Sequence, residues 1–198
     1  MERLNWQSEH NRCGWCLVDD LYIQYHDEEW GRPSFDDQHM FEHLILETFQ
    51  AGLSWHIILK KRPHFRDAFH GFDARAMAQM DEAQIENLLH NPGIIRNRSK
   101  IIAAIGNARV YLREFPAHGE FTNYMWAFVG GTPRMNHPRQ LSDLPTRSPE
   151  SDAMSKALKK MGFCFVGSTT CYAYMQALGM VNDHLEHCEF KYQGKIHF

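Results

Sequence analysis

The stretch from Leu46 to Trp55, Leu-Glu-Thr-Phe-Gln-Ala-Gly-Leu-Ser-Trp, constrains this chain more than any other. Met40, Phe41, Leu44, Ile45, Phe49 and Ala51 recur at helical spacing, so the segment reads as an amphipathic helix that stops at the Gly52 break. Glu47 falls on the same stripe as Met40, Leu44 and Ala51. A carboxylate there either sits at the wet edge of a half-covered helix or is buried. Burial without a partner costs several kcal/mol or neutralises the group, which would make Glu47 a candidate for ligand recognition or proton chemistry.

The rest of the chain punctuates itself as helices. Ser34-Phe35-Asp36-Asp37 gives a start signal for the Glu47 helix, and Ser54 caps a short helix through Lys61 that Pro63 interrupts. Asp73 and Asp81 cap helices over roughly 74–80 and 82–90. Asn91-Pro92-Gly93 breaks the second, and a longer helix runs from Ile94 through Tyr111. Phe121 to Val129 forms a helix ended by Gly130-Gly131, residues 133–149 are turn-rich, Ser151 caps a helix to Lys160, and Ser168 starts a last helix to about Gly179. Residues 1–34 read as irregular. No stretch sustains period-two alternation, so the fold class is all-α, a single domain over residues 1–198. No apolar run is long enough to span a bilayer and the N-terminus lacks a secretory segment, which predicts a cytoplasmic protein with no membrane partner, acting as a monomer.

Five cysteines and thirteen histidines in such a chain favour thiols or metal ligands over disulfides. By spacing alone Cys13, Cys16, His184 and Cys188 make a zinc set, with His184 and Cys188 on one helical turn and His26 as a fifth candidate. Cys13 and Cys16 also suit a redox pair. A net charge of -3 excludes a generally basic nucleic-acid coat, but Lys60-Lys61-Arg62, Arg96-Arg98-Lys100 and Lys156-Lys159-Lys160 are local basic clusters. The amides of Gly93, Ile94, Ile95 and Arg96, at the start of the helix after the glycine turn, suit a phosphate, with Lys100 beside them. Tyr22, Tyr25, Trp30 and Trp55 offer flat faces for a planar ring near Glu47, and Leu53 just past Gly52 suits a wedge in a base stack.

Six ordered blocks then carry a resemblance: Arg12-Cys13-Gly14-Trp15, Tyr25-His26-Asp27 with Glu29-Trp30-Gly31, Leu46-Glu47 with Gln50 to Trp55, Gly93 to Arg96 with Lys100-Ile101, Ser155 to Lys160, and Val181 to His184. The chain closely resembles the bacterial 3-methyladenine DNA glycosylase I family, in the helix-hairpin-helix DNA glycosylase superfamily. The resemblance implies a structural Zn2+ on Cys13, His26, His184 and Cys188, replacing Cys16 by His26 and tying the N- and C-terminal segments together. It implies a base pocket of Glu47, as the catalytic residue, with Tyr22, Tyr25, Trp30 and Trp55, and DNA contacts from Gly52, Leu53, Gly93, Ile94, Ile95, Arg96 and Lys100. The activity implied is excision of 3-methyladenine from alkylated double-stranded DNA, releasing the free base without lyase chemistry. Glu114 is the only acid just after the hairpin's second helix, where many relatives in the superfamily carry an aspartate. Thr48 and Phe49 stand where the family has a smaller pair beginning with glycine. Residues 1–11 and 189–198 have no counterpart, the latter forming a tail. A zinc-stabilised DNA-binding module or damage sensor without catalysis is the alternative reading.

Overall fold

The computed structural model describes residues 10–191, so the outer parts of the expected N-terminal extension and C-terminal tail lie outside the described residues. Its helices are α1 (Asp20–Glu28), α2 (Asp37–Gln50), α3 (Trp55–Ala68), α4 (Ala74–Ala78), α5 (Glu82–His90), α6 (Arg98–Glu114), α7 (Glu120–Ala127), α8 (Pro149–Met161) and α9 (Ser168–Ala177). Two residue pairs, β1 (Arg134–Met135) and β2 (Val181–Asn182), align in parallel. The architecture is mostly helical, and the small β pairing is too short to leave a period-two trace in sequence.

α2 is the central helix. Asp36, within the predicted Ser34 to Asp37 start signal, begins it by accepting from the His39 amide, and every side chain from Met40 to Phe49 is buried. It is therefore covered all round, by α3, α6, α7 and α9, and not along one stripe. Its polar side chains are accounted for one by one, because each buried polar atom needs a partner. Asp37 accepts from the Gly119 and Thr122 amides and the Thr122 hydroxyl. Glu42 takes Arg66, and the Thr48 hydroxyl donates back to Leu44 O at 3.0 Å. Two atoms are left over: Oε2 of Glu47 and Nδ1 of His43.

Several sequence-based boundaries move for identifiable reasons. Residues 20–28 are helical, not irregular, because Asp19 accepts from the Tyr22 amide as a cap. α3 runs through Pro63, whose exposed position spares the core while Phe65 and Phe69 on the next turns pack with Phe49. α6 starts at Arg98 with Asn97 as its cap, so Ile94 to Arg96 lie in the connection before it. α8 is capped by Ser148, three residues earlier than predicted, in a reciprocal pair with Ser151. His184 and Cys188 meet through a tight turn after β2, not on a helix.

The ends of the described chain are joined. The Glu189 amide donates to Asn11 O at 3.0 Å, and the Arg12 guanidinium lies 4.8 Å from the centre of the Phe190 ring.

Candidate functional site

A cavity of about 200 Å³ opens beside the C-terminal half of α2, lined by Trp15, Tyr22, Tyr25, Trp30, Glu47, Gln50, Trp55, Leu144, Ala173, Gln176 and Ala177. All five residues expected at a base pocket are here: Glu47 on α2, Tyr22 and Tyr25 on α1, Trp30 just past α1, and Trp55 at the start of α3. Sequence reasoning missed Trp15, Gln50, Leu144 and the α9 residues, which come from separate segments. Only Trp15 and Gln50 stood inside motifs that had been singled out.

The aromatic walls are braced from behind. Trp15 meets Tyr22 and Trp30 edge-on at 4.9 and 5.0 Å. Tyr22 stacks on His56 at 4.7 Å, and His56 Nε2 is held by Asp19 at 2.7 Å. Tyr25 packs against Trp55 at 5.5 Å. Arg62 on α3 grips Glu29 through both carboxylate oxygens, at 2.5 and 2.7 Å, and so locks α1 to α3. Rings fixed this way present faces to a planar ligand at little entropic cost.

Glu47 is 3% exposed, so the wet-edge alternative does not hold. Burial pushes its carboxyl up from 4.5 to about 8, since no cation or donor offsets the loss of water. At neutral pH it therefore rests largely as the neutral acid, with Oε2 uncommitted. Thr48 and Phe49, the departures from the family pattern, turn away into the core and do not line the cavity.

Beyond Gln50 the chain turns at Gly52, whose φ of +82° suits glycine, and exposes Leu53 before Trp55 re-enters the cavity wall. The turn is held from beneath by Lys100. Its ammonium donates to Phe49 O at 2.7 Å and Ala51 O at 2.6 Å, which satisfies carbonyls at the end of α2. This corrects the reading of Lys100 as a phosphate contact: the side chain is 6% exposed and faces inward. Ile94 is buried as well, so only its backbone can face a ligand, whereas Arg96 is exposed and Ile95 partly so. The amides from Gly93 to Arg96 precede the α6 N-terminus and do not belong to it. Gly93 lies so close to α3 that an added Cβ would sit 2.8 Å from His64 Cβ. Arg98 is committed to Glu82 and Glu86 on α5.

Behind the Trp30 wall lies a second cluster. One ligand atom from each of Cys13, His26, His184 and Cys188 falls within 4.8 Å of the others, and all four residues are buried. The outer nitrogens are already oriented. His26 Nδ1 meets Asp27 at 2.7 Å, and Asp27 is held by Arg12, while His184 Nε2 meets Trp30 O at 2.9 Å. His26 Nε2 and His184 Nδ1 are thereby aimed at the Cys188 sulfur, at 3.5 and 3.3 Å. The Cys188 thiol is pulled well below its ordinary value by Cys13 and the two imidazoles. Two thiols and two pre-aimed imidazoles with a satisfied outer shell fit a tetrahedral cation. Cys16 falls outside this group, and its thiol donates to Cys13 O at 3.1 Å.

The sequence model described as methyladenine glycosylase matches residues 15–192. The chain belongs to the methyladenine glycosylase family. It is 52% identical over 178 residues to the DNA-3-methyladenine glycosylase 1 of Escherichia coli K12, covering 89% of this chain and 95% of that protein. A DNA-3-methyladenine glycosylase of Haemophilus influenzae is 47% identical, covering 91% and 97%. Among solved structures, the Staphylococcus aureus 3-methyladenine DNA glycosylase I superposes with a TM-score of 0.89 at 35% identity, covering 94% of this chain and 99% of that one. Membership makes the chain an enzyme, a glycosylase, and removes the alternative of a binding module without catalysis. Among the described residues no helix is long and apolar enough to cross a membrane.

Proposed function

We propose that this glycosylase flips 3-methyladenine out of alkylated double-stranded DNA into the Glu47 cavity and hydrolyses its N-glycosidic bond, releasing the free base. The observation that carries the reading is a carboxyl with no partner at the floor of an aromatic cavity. Methylation at N3 makes adenine cationic, so the leaving group departs as a neutral base and needs little acid assistance. What remains is recognition. Trp15, Trp30, Trp55 and Tyr25 offer π faces that attract an electron-poor ring more than a neutral one. Glu47 accepts from the adenine edge, and a cationic ring beside it favours its ionised form and so opposes the desolvation that holds it neutral. Water attacks the developing oxocarbenium-like sugar. A monofunctional reaction without a lyase step fits a lining that, among the described residues, includes no lysine.

On the DNA side, Leu53 at the tip of the Gly52 turn fills the gap left in the stack, and α5, the 91–97 connection and α6 serve as the helix-hairpin-helix, with backbone amides and Arg96 toward phosphate. Zn2+ on Cys13, His26, His184 and Cys188 would act structurally, holding the chain ends and, through His184 and Trp30 O, the cavity wall. The protein acts as a cytoplasmic monomer, and residues 1–198 form a single domain. Incubation with methylated duplex DNA, followed by chromatography of released bases, tests the assignment. The expected product is 3-methyladenine; release of 7-methylguanine and hypoxanthine without it contradicts the specificity.

A further inference from the structure

His43 is the second unsatisfied polar residue of α2, and its surroundings have the composition of another metal site. One ligand atom from each of Glu29, His39 and His43 lies within 4.8 Å of the others. His39 and His43 are four apart on α2 and project on one side of it, with ring centres 4.6 Å apart, while Glu29 closes the set from the end of α1. The Ser34 hydroxyl engages His39 Nδ1 at 2.7 Å, which fixes that ring and leaves Nε2 for a ligand. His43 is 1% exposed, and its Nδ1 has no partner. Burial keeps this imidazole neutral, the state in which it ligates a metal. Glu29 is engaged by Arg62 through both oxygens, but each oxygen retains a second lone pair for a cation. Arg62 and Arg66 place positive charge nearby and Glu29 and Glu42 offset it, so the site suits a cation held by imidazole donors more than one held by charge alone.

We propose that Glu29, His39 and His43 bind a divalent transition-metal ion, at a site separate from the Cys13–His26–His184–Cys188 cluster. Two imidazoles and one carboxylate match borderline ions such as zinc, cobalt or nickel, and not calcium or magnesium, which take oxygen ligands. The site lies behind the cavity, because the His43 ring stacks on Trp55 at 5.9 Å. An ion there would fix the Trp55 wall from the rear.

The test uses the full chain as purified, titrated with cobalt(II), with bound cobalt counted after equilibrium dialysis and the visible spectrum recorded. The expected result is one equivalent bound with weak d–d bands and no added thiolate-to-cobalt absorption, since this site has no sulfur. In His39→Asn, at a half-exposed position, the affinity for that equivalent falls at least tenfold, whereas His90→Asn at an exposed imidazole leaves it unchanged. His43→Gln supplies a second loss variant. Cobalt uptake that appears only with strong thiolate absorption, or that persists in His39→Asn, overturns the proposal.

Discussion

Glu47→Gln should make the protein more stable at neutral pH while making it a poorer enzyme. In the unfolded chain the Glu47 carboxyl releases its proton near 4.5, whereas in the fold burial delays release to about 8. Below the lower value both states hold the proton and the group adds no pH dependence. Between the two, folding must retain a proton the unfolded chain has lost, so stability falls as pH rises, by about 1.4 kcal/mol per pH unit. At pH 7 the accumulated loss is about 3 kcal/mol, and it levels off above the folded value. Glutamine has nearly the same shape and cannot ionise, so the variant lacks this slope. Urea melts of both proteins across pH 5 to 8 should give near-equal stability at the acid end and a gap opening in favour of the variant, reaching about 2–4 kcal/mol at pH 7. Excision should move the other way. Loss of a charge-assisted hydrogen bond of about 1.5–3 kcal/mol lowers kcat/KM by roughly ten- to a hundredfold. Parallel stability curves, or a variant less stable at pH 7, would refute the view that Glu47 is held protonated by an unpaired burial.

Lys100→Met should lower stability by roughly 2–4 kcal/mol, because the carbonyls of Phe49 and Ala51 lose a charged donor; in DNA titrations its salt dependence should match the wild type, whereas Arg96→Ala should reduce that slope by about one. Metal content of the Cys/His cluster should survive Cys16→Ser and be lost in His26→Ala, measured by elemental analysis of the purified proteins. Leu53→Ala should slow excision from duplex DNA about tenfold or more and leave binding of free 3-methyladenine intact, since Leu53 points to solvent and does not line the cavity.

How much of this was legible in sequence depends on whether the signal was local. Asp73 and Asp81 cap where predicted, and α2 starts within the predicted Ser34 to Asp37 signal, because a cap is written in the residues beside it. Asp19 carries the same signal for α1, but the tryptophans and glycines around it show no helical period, so the segment reads as irregular. Pro63 misled because its helix-breaking effect is local, while the burial of Phe65 and Phe69 that outweighs it comes from a helix elsewhere in the chain. Lys100 misled for the same reason: its partners lie some fifty residues away, on carbonyls that carry no sequence mark. The five expected cavity residues did converge: Tyr22, Tyr25, Trp30 and Trp55 flank the Glu47 helix in sequence, and the family's ordered motifs reinforce all but Tyr22, whereas spacing alone chose Cys16 over His26. Trp15's role as a wall arises from its packing on Tyr22 and Trp30, and those of Leu144, Ala173, Gln176 and Ala177 only when α9 and the segment carrying Leu144 come up beside α2.

The central claim is that the Glu47 cavity distinguishes an N3-methylated adenine from adenine. Tryptophan fluorescence tests it most directly, because Trp15, Trp30 and Trp55 all line the cavity. Titration with free 3-methyladenine should give saturable quenching that adenine does not reproduce and that weakens at least tenfold in Glu47→Gln. Equal quenching by both bases, or a response indifferent to Glu47→Gln, would contradict the account.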